Sequence, residues 1–172
     1  MKRILTAVIV LLSCTATVGA QKIGCINTET ILSAIPAYAA AQKQLDSLSE
    51  KYKNTIETEL SKIEALYQNY QASRASMSAA QRQNAENEII SKERVVQEKQ
   101  RLYFGEDGIM AKKAEELLSP VRTAVDKAIA EVAARGGYDL ILDLAAMQGV
   151  VYKNAALDLS DAVLSCYNEN QK

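Results

Sequence analysis

The stretch ARGGYDLILD, residues 134–143, holds the groups whose types and spacing come nearest to chemistry: the adjacent Gly136 and Gly137, and Asp139 and Asp143 four residues apart. Two carboxylates can act as acid and base across a glycosidic bond. Two glycines can bring backbone N–H groups against a phosphate. The context argues against both. A phosphate loop follows a strand and opens a helix, where free N–H groups and the positive end of the helix dipole lie. Here the order is helix, glycines, strand, so an anion would meet carbonyl oxygens, and Gly136 reads as a left-handed glycine that ends a helix. Asp139 and Asp143 have no third catalytic group near them and read as turn or sheet-end carboxylates. The 172 residues include no His and no Trp, which removes the usual general base and the commonest metal ligand. No glycine elbow is present to activate a serine. The expectation is therefore no catalytic residue, no metal site and no cofactor.

With catalysis set aside, the composition points outside the cytoplasm. MKRILTAVIVLLSCTATVGA has a basic start in Lys2 and Arg3, nine residues of apolar stretch from Ile4 to Leu12, and the small pair Val18 and Ala20 before the break. This is the pattern of a cleaved signal peptide over residues 1–20, with Gln21 as the first mature residue. A membrane span needs about 20 apolar residues. The LLSC of residues 11–14 loosely matches a lipidation box ending at Cys14, but Leu12 directly before the small residue fits it poorly. Without Lys2 and Arg3 the basic residues fall from 20 to 18 against 21 acidic ones, a net charge of −3. That leaves no basic field for nucleic acid, which is not an expected partner. The mature cysteines, Cys25 and Cys166, lie near opposite ends of the chain. The secretory route permits a disulfide, and two buried free thiols are the alternative.

Helix dominates the middle of the chain. After Pro36 no proline occurs until Pro120. Apolar residues fall at Tyr38, Ala41, Leu45, Leu48, Tyr52, Ile56, Leu60, Ile63, Tyr67 and Tyr70, nine steps over 32 residues; this is a helical period. Position 78, midway between the prolines, is a serine with Gln81 three residues on. That pair forms a capping box, so a second helix starts there and the segment is a hairpin. Each arm has about 40 residues, roughly 60 Å at 1.5 Å per residue. Gly105 and Gly108 in FGEDGIM interrupt the returning arm, Glu106 and Asp107 are placed to restart it, and Pro120 is expected to bend it where the arm meets the body. Around this hairpin lie short strands: Lys22–Ile26, YDLILD and QGVVYK. A brief helix, Glu29–Ala34, is capped by Asn27 or Thr28, and a terminal helix by Asp158 or Ser160. So small a sheet has exposed edges and calls for self-association.

The fold class expected is α+β, mostly helical, with a small β-containing body from residues 21–36 and 120–172. A long antiparallel hairpin spans 37–119, its tip near 76–80. The candidate binding residues are those of the arms: Tyr52, Ile56, Leu60, Ile63, Tyr67, Tyr70, Met77, Ile89, Val96 and Tyr103. Amphipathic and adaptable side chains on a thin hairpin suit an apolar, shape-variable partner, while the seam between the arms must claim several of them. Assembly falls to Ile23, Cys25, Leu140, Leu142 and Val151.

In this order and spacing the chain resembles the Skp/OmpH family of periplasmic chaperones over essentially its whole mature length. KIGCINTETILSAIPAY is similar to the family's first strand and short helix. PVRTAVDKAIAEVAARGGYDLILD and VVYKNAALDLSDAVL are similar to its closing helix, strand pair and final helix. The resemblance implies a homotrimer in the periplasm, with a central barrel made of strands from three subunits. It further implies three helical tentacles around a cavity that shelters unfolded outer-membrane proteins without ATP. Familiar members are strongly basic; the mild acidity here argues against carrying over a lipopolysaccharide contact. The competing expectation is a coiled-coil envelope adaptor that binds one folded partner.

Overall fold

The computed structural model describes residues 21–172. The expected signal peptide and the expected lipidation box at Cys14 both lie outside the described residues. In chain order the elements are β1 (Ile23–Ile26), α1 (Thr28–Ser33), α2 (Pro36–Ser73), α3 (Ala79–Phe104), α4 (Ile109–Gly136) and β2 (Leu140–Asp143). A single 3₁₀ turn (Ala155–Leu157) and α5 (Ser160–Asn170) follow. Among the described residues no helix is long and apolar enough to cross a membrane.

Local chemistry explains the element ends. Asn27 caps α1, its side chain accepting from the Thr30 amide at 3.0 Å. Pro36 opens α2 in the first turn, where a missing N–H costs nothing. The hairpin turns at Arg74–Ser78. Both arms of the capping box form: the Gln81 amide donates to Ser78 Oγ at 3.3 Å, and the Ser78 amide donates to Gln81 Oε1 at 2.8 Å. The returning arm breaks between Phe104 and Ile109, at the two glycines. α4 then runs through Pro120 as one helix.

Three sequence expectations are corrected. The left-handed residue that ends α4 is Gly137, with φ 63°, and not Gly136, which is the last helical residue. The amide of Tyr138 reaches back to the Ala133 carbonyl at 3.0 Å, and this closure places the reversal one residue later. QGVVYK is not a strand. Val151 is 99% and Tyr152 83% exposed, so among the described residues of one chain this segment has no strand to pair with. Neither Asp158 nor Ser160 is the cap residue of α5; that position is Leu159. The Asp158 carboxylate still accepts from the Ser160 amide at 3.0 Å.

The two strands pair in parallel, Ile23 opposite Leu140 and Cys25 opposite Leu142. Parallel neighbours need a long crossover, and here the crossover is α1 and the entire hairpin. On its other side β1 meets Asp158, with the Leu159 amide donating to the Cys25 carbonyl at 2.8 Å. The body core gathers Ile26, Ile31, Ile35, Val121, Val125, Ala128, Leu159, Val163, Cys166 and Tyr167. Cys25 and Cys166 are both buried free thiols. Burial, and then the Glu131 carboxylate that accepts from it at 3.4 Å, push the Cys166 thiol up.

Candidate functional site: the paired arms

A seven-residue repeat sets the packing of the arms. Ile56, Ile63 and Tyr70 on α2, with Ile89 and Val96 on α3, form one buried cluster. This spacing keeps a single row of each helix on the seam. The row beside it, four residues before each of the first set, is Tyr52, Glu59 and Leu66. Of these, Tyr52 stacks on Tyr103 with ring centroids 4.1 Å apart. Glu59 forms an ion pair across the seam with Lys99 at 3.6 Å. Leu66 and Met77 pack against the cluster, partly buried. Lys62, then Lys99, hold the Glu59 carboxyl below its ordinary value. Near the tip the Tyr70 hydroxyl donates to Glu86, and that bond raises the tyrosine pKa.

The candidate residues thus divide by position. Ile56, Ile63, Tyr70, Ile89 and Val96 are seam residues. Tyr52, Met77 and Tyr103 are half-buried. Leu60 and Tyr67 stay 46% and 47% exposed. The physical reason is geometric. A stripe of mean period 3.6 spreads over two heptad rows, and one facing helix covers only one of them. Leu60 and Tyr67 sit four residues beyond Ile56 and Ile63, on the uncovered row.

Sequence reasoning missed Ile90, Val95, Leu102 and Phe104, all exposed. Shallow grooves along the hairpin show which side they occupy. One is lined by Leu60, Glu64 and Glu93, another by Lys53, Glu57, Gln100 and Phe104. At 100° per residue Ile90 and Phe104 share a side of α3 with Glu93 and Gln100, whereas Val95 and Leu102 face away. One side of the hairpin therefore carries Leu60, Tyr67, Ile90 and Phe104 among carboxylates and Lys53. The pairing of a large apolar residue with its immediate neighbour in EII and RVV was the available signal: only one of two adjacent helical residues can enter a seam.

At the base, Ile23 and Leu140 stand opposite each other and are 41% and 47% exposed. Leu142 is half-buried. Val151 belongs to an apolar exposed segment that also holds Met147, Val150, Tyr152 and Leu157. The Cys25 side chain is inside the protomer, its thiol donating to the Leu157 carbonyl at 3.3 Å. β2 has β1 on one side and no strand on the other among the described residues. The segment Met147–Leu157 is held to the body through the ion pair of Lys153 with Asp158. Lys153 first, and then Ser160, bring the Asp158 carboxyl down to about 2.

No group of three or more His, Cys, Asp or Glu side chains among the described residues could hold a metal ion. What the arrangement offers is surface: a slender double helix with apolar side chains left uncovered, and a two-stranded sheet with an open edge.

Comparison with known proteins fits this geometry. The family model described as "Outer membrane protein (OmpH-like)" matches residues 22–166. The chain is 25% identical over 153 residues to the chaperone protein Skp of Yersinia enterocolitica, covering 89% of this chain and 90% of that one. It is 26% identical over 167 residues to the chaperone protein Skp of Photorhabdus laumondii subsp. laumondii, covering 95% and 98%. A solved structure described as an OmpH-like outer membrane chaperone from Caulobacter crescentus CB15 superposes with a TM-score of 0.65 at 15% identity, covering 88% of this chain and 86% of that one. With the family model spanning the strand, hairpin and closing helices alike, the chain belongs to the OmpH-like family, which includes the Skp chaperones.

Proposed function

We propose that this protein is an ATP-independent holdase of the periplasm that keeps unfolded outer-membrane proteins from aggregating, in a cavity enclosed by the arms of a homotrimer. The observation that carries the proposal is the uncovered apolar row of the hairpin. Leu60, Tyr67, Ile90 and Phe104 are large apolar residues that a stable soluble arm does not need exposed, and they alternate with Glu57, Glu64 and Glu93. Dispersed apolar contacts with charged neighbours give weak, non-directional attraction. Such attraction holds a chain of no fixed shape without freezing it. Tyr52, Met77 and Tyr103 add adaptable contacts at the seam's edges, whereas Ile56, Ile63, Tyr70, Ile89 and Val96 act by holding the arms together.

Assembly follows from the base of the molecule. The outer edge of β2 presents unpaired backbone and the segment Met147–Leu157 presents exposed apolar side chains, and three copies cover both by pairing around a common axis. Ile23, Leu140, Leu142 and Val151 form this face. Lipopolysaccharide plays no part in the proposal, since the net charge after residue 20 is negative.

A photo-crosslinking amino acid placed at Leu60 or Tyr67 tests the reading. The holdase predicts adducts with many unfolded β-barrel precursors. A single folded partner trapped from both positions would instead establish the envelope-adaptor reading.

A further inference from the structure

The charges on the two sides of the hairpin are met differently. Between Glu50 and Glu98, every arm carboxylate away from the uncovered row has a partner. Glu50 pairs with Lys53 at 3.4 Å, Glu88 with Lys92 at 3.7 Å and Glu98 with Arg94 at 3.8 Å. Glu59 has both Lys62 at 3.4 Å and Lys99 at 3.6 Å. Glu86 accepts from the Tyr70 hydroxyl. Glu57, Glu64 and Glu93 have no ion-pair partner among the described residues. Glu64 accepts only from the neutral Gln68 amide, at 2.8 Å.

These three exposed carboxylates lie where the apolar side chains are uncovered. Glu57 stands three residues before Leu60, Glu64 four after it, and Tyr67 three beyond Glu64. Residues three and four apart are neighbours on a helix surface, so the four form one strip of α2. Glu93 has the same relation to Ile90 on α3. One groove brings Leu60, Glu64 and Glu93 together from both helices, and another holds Glu57 with Phe104. Among the described residues the only cation lining these grooves is Lys53, which Glu50 already engages. The exposed Val95 and Leu102, which face away, are set among matched charges instead, Lys92 with Glu88 and Arg94 with Glu98.

Unpaired like charges along one strip repel and do not hold the hairpin together. Their complement is a chain segment with a cation beside an apolar group. The stems of Lys and Arg are themselves apolar, so such a residue can cover Leu60 with its methylenes while its head reaches Glu57 or Glu64. An acidic segment of the same apolar content would bring like charges together.

We propose that the uncovered row selects its clients by charge, taking unfolded segments in which apolar residues alternate with Lys or Arg over those in which they alternate with Asp or Glu. The preference presupposes the holdase reading, whose substrate class it narrows. Leu60, Tyr67, Ile90 and Phe104 attract any unfolded chain, and Glu57, Glu64 and Glu93 set the choice. Each exposed pair is weak, so three along one segment give about tenfold in affinity at low salt. The effect fades as salt screens the charges.

The test uses three fluorescent peptides of one apolar pattern, too short to fold, with Lys, Glu or Ser at the alternate positions. Each is titrated by anisotropy with the protein lacking residues 1–20. The Lys peptide is expected to bind about tenfold more tightly than the Glu peptide at about 50 mM salt, with the Ser peptide between them. The difference should collapse near about 0.5 M salt. E57Q/E64Q/E93Q should abolish the preference. E88Q/E98Q/E116Q, which removes the same charge from outside the row, should retain it. Equal affinity for the Lys and Glu peptides, tighter binding of the Glu peptide, or equal loss of preference in both variants overturns charge selection. With the Ser peptide still bound in those cases, the holdase reading survives. Binding of none of the three peptides overturns both.

Discussion

The hydroxyl of Thr28 donates to Asp143 Oδ2 at 2.6 Å, joining the first turn of α1 to the last residue of β2, 115 positions later. Asp143 Oδ1 also accepts from the amides of Thr28 at 3.1 Å and Ala145 at 3.0 Å. Burial on its own would raise this carboxyl, but the Thr28 and Ala145 donors outweigh it and the pKa is lowered. A lowered folded pKa means the stabilisation is present above the ordinary value of 3.8 and is lost as pH falls through the folded value. Asp143→Asn should therefore cost about 1–2 kcal/mol at neutral pH. Its gap from wild type in urea unfolding should shrink towards pH 3. A gap independent of pH would contradict the assignment.

Gly137 supplies the left-handed residue between α4 and β2. Gly137→Ala meets no neighbour within 4 Å, so its cost is conformational alone. The expected loss is about 1–2 kcal/mol, read from thermal or urea unfolding. Gly136→Ala acts differently, because its Cβ would strike the Tyr138 ring. It should also perturb Lys22, whose ammonium lies 4.3 Å over that ring and donates to the Gly136 carbonyl at 2.7 Å. An unchanged Gly137→Ala protein would show that the reversal lies elsewhere.

These two sites show what the chain reveals in order and what it does not. The apolar period from Tyr38 to Tyr70, the Ser78–Gln81 box and the glycines at 105 and 108 are local signals, and the hairpin, its tip and its break follow from them. The placement of Ile56 inside and Leu60 outside is not local. It depends on how narrow a strip one facing helix covers, which a mean period of 3.6 does not distinguish. Likewise QGVVYK has the composition of a strand, but a strand needs a neighbour, and the described residues of one chain provide none for Val151. The parallel register of Ile23 with Leu140 lay beyond local reading because the hairpin itself is the connection.

Within the arms, stability and capture should separate. Ile63→Ala removes a buried seam side chain and should cost about 2–4 kcal/mol, seen as early local melting by amide exchange. The exposed pair Leu60→Ser/Tyr67→Ser should leave stability within about 0.5 kcal/mol. The pair should nevertheless weaken client binding several-fold, because only the uncovered row is lost. Equal binding by this double variant and wild type, measured by fluorescence anisotropy with an unfolded β-barrel, would remove the uncovered row from the site.

At the base, Val151→Asp places a charge on a fully exposed apolar position and should leave the protomer folded. Buried against other copies, that charge is costly. Light scattering is expected to give a trimer for the wild type and a monomer, or a sharply concentration-dependent mixture, for the variant. A wild-type monomer would remove the cavity.

The most direct measurement is a titration of the purified protein, lacking residues 1–20, into an outer-membrane β-barrel protein diluted from denaturant, with aggregation followed by turbidity and no nucleotide present. A trimeric holdase predicts suppression that saturates at about three chains per client. Turbidity unaffected at that ratio or beyond it would contradict the account.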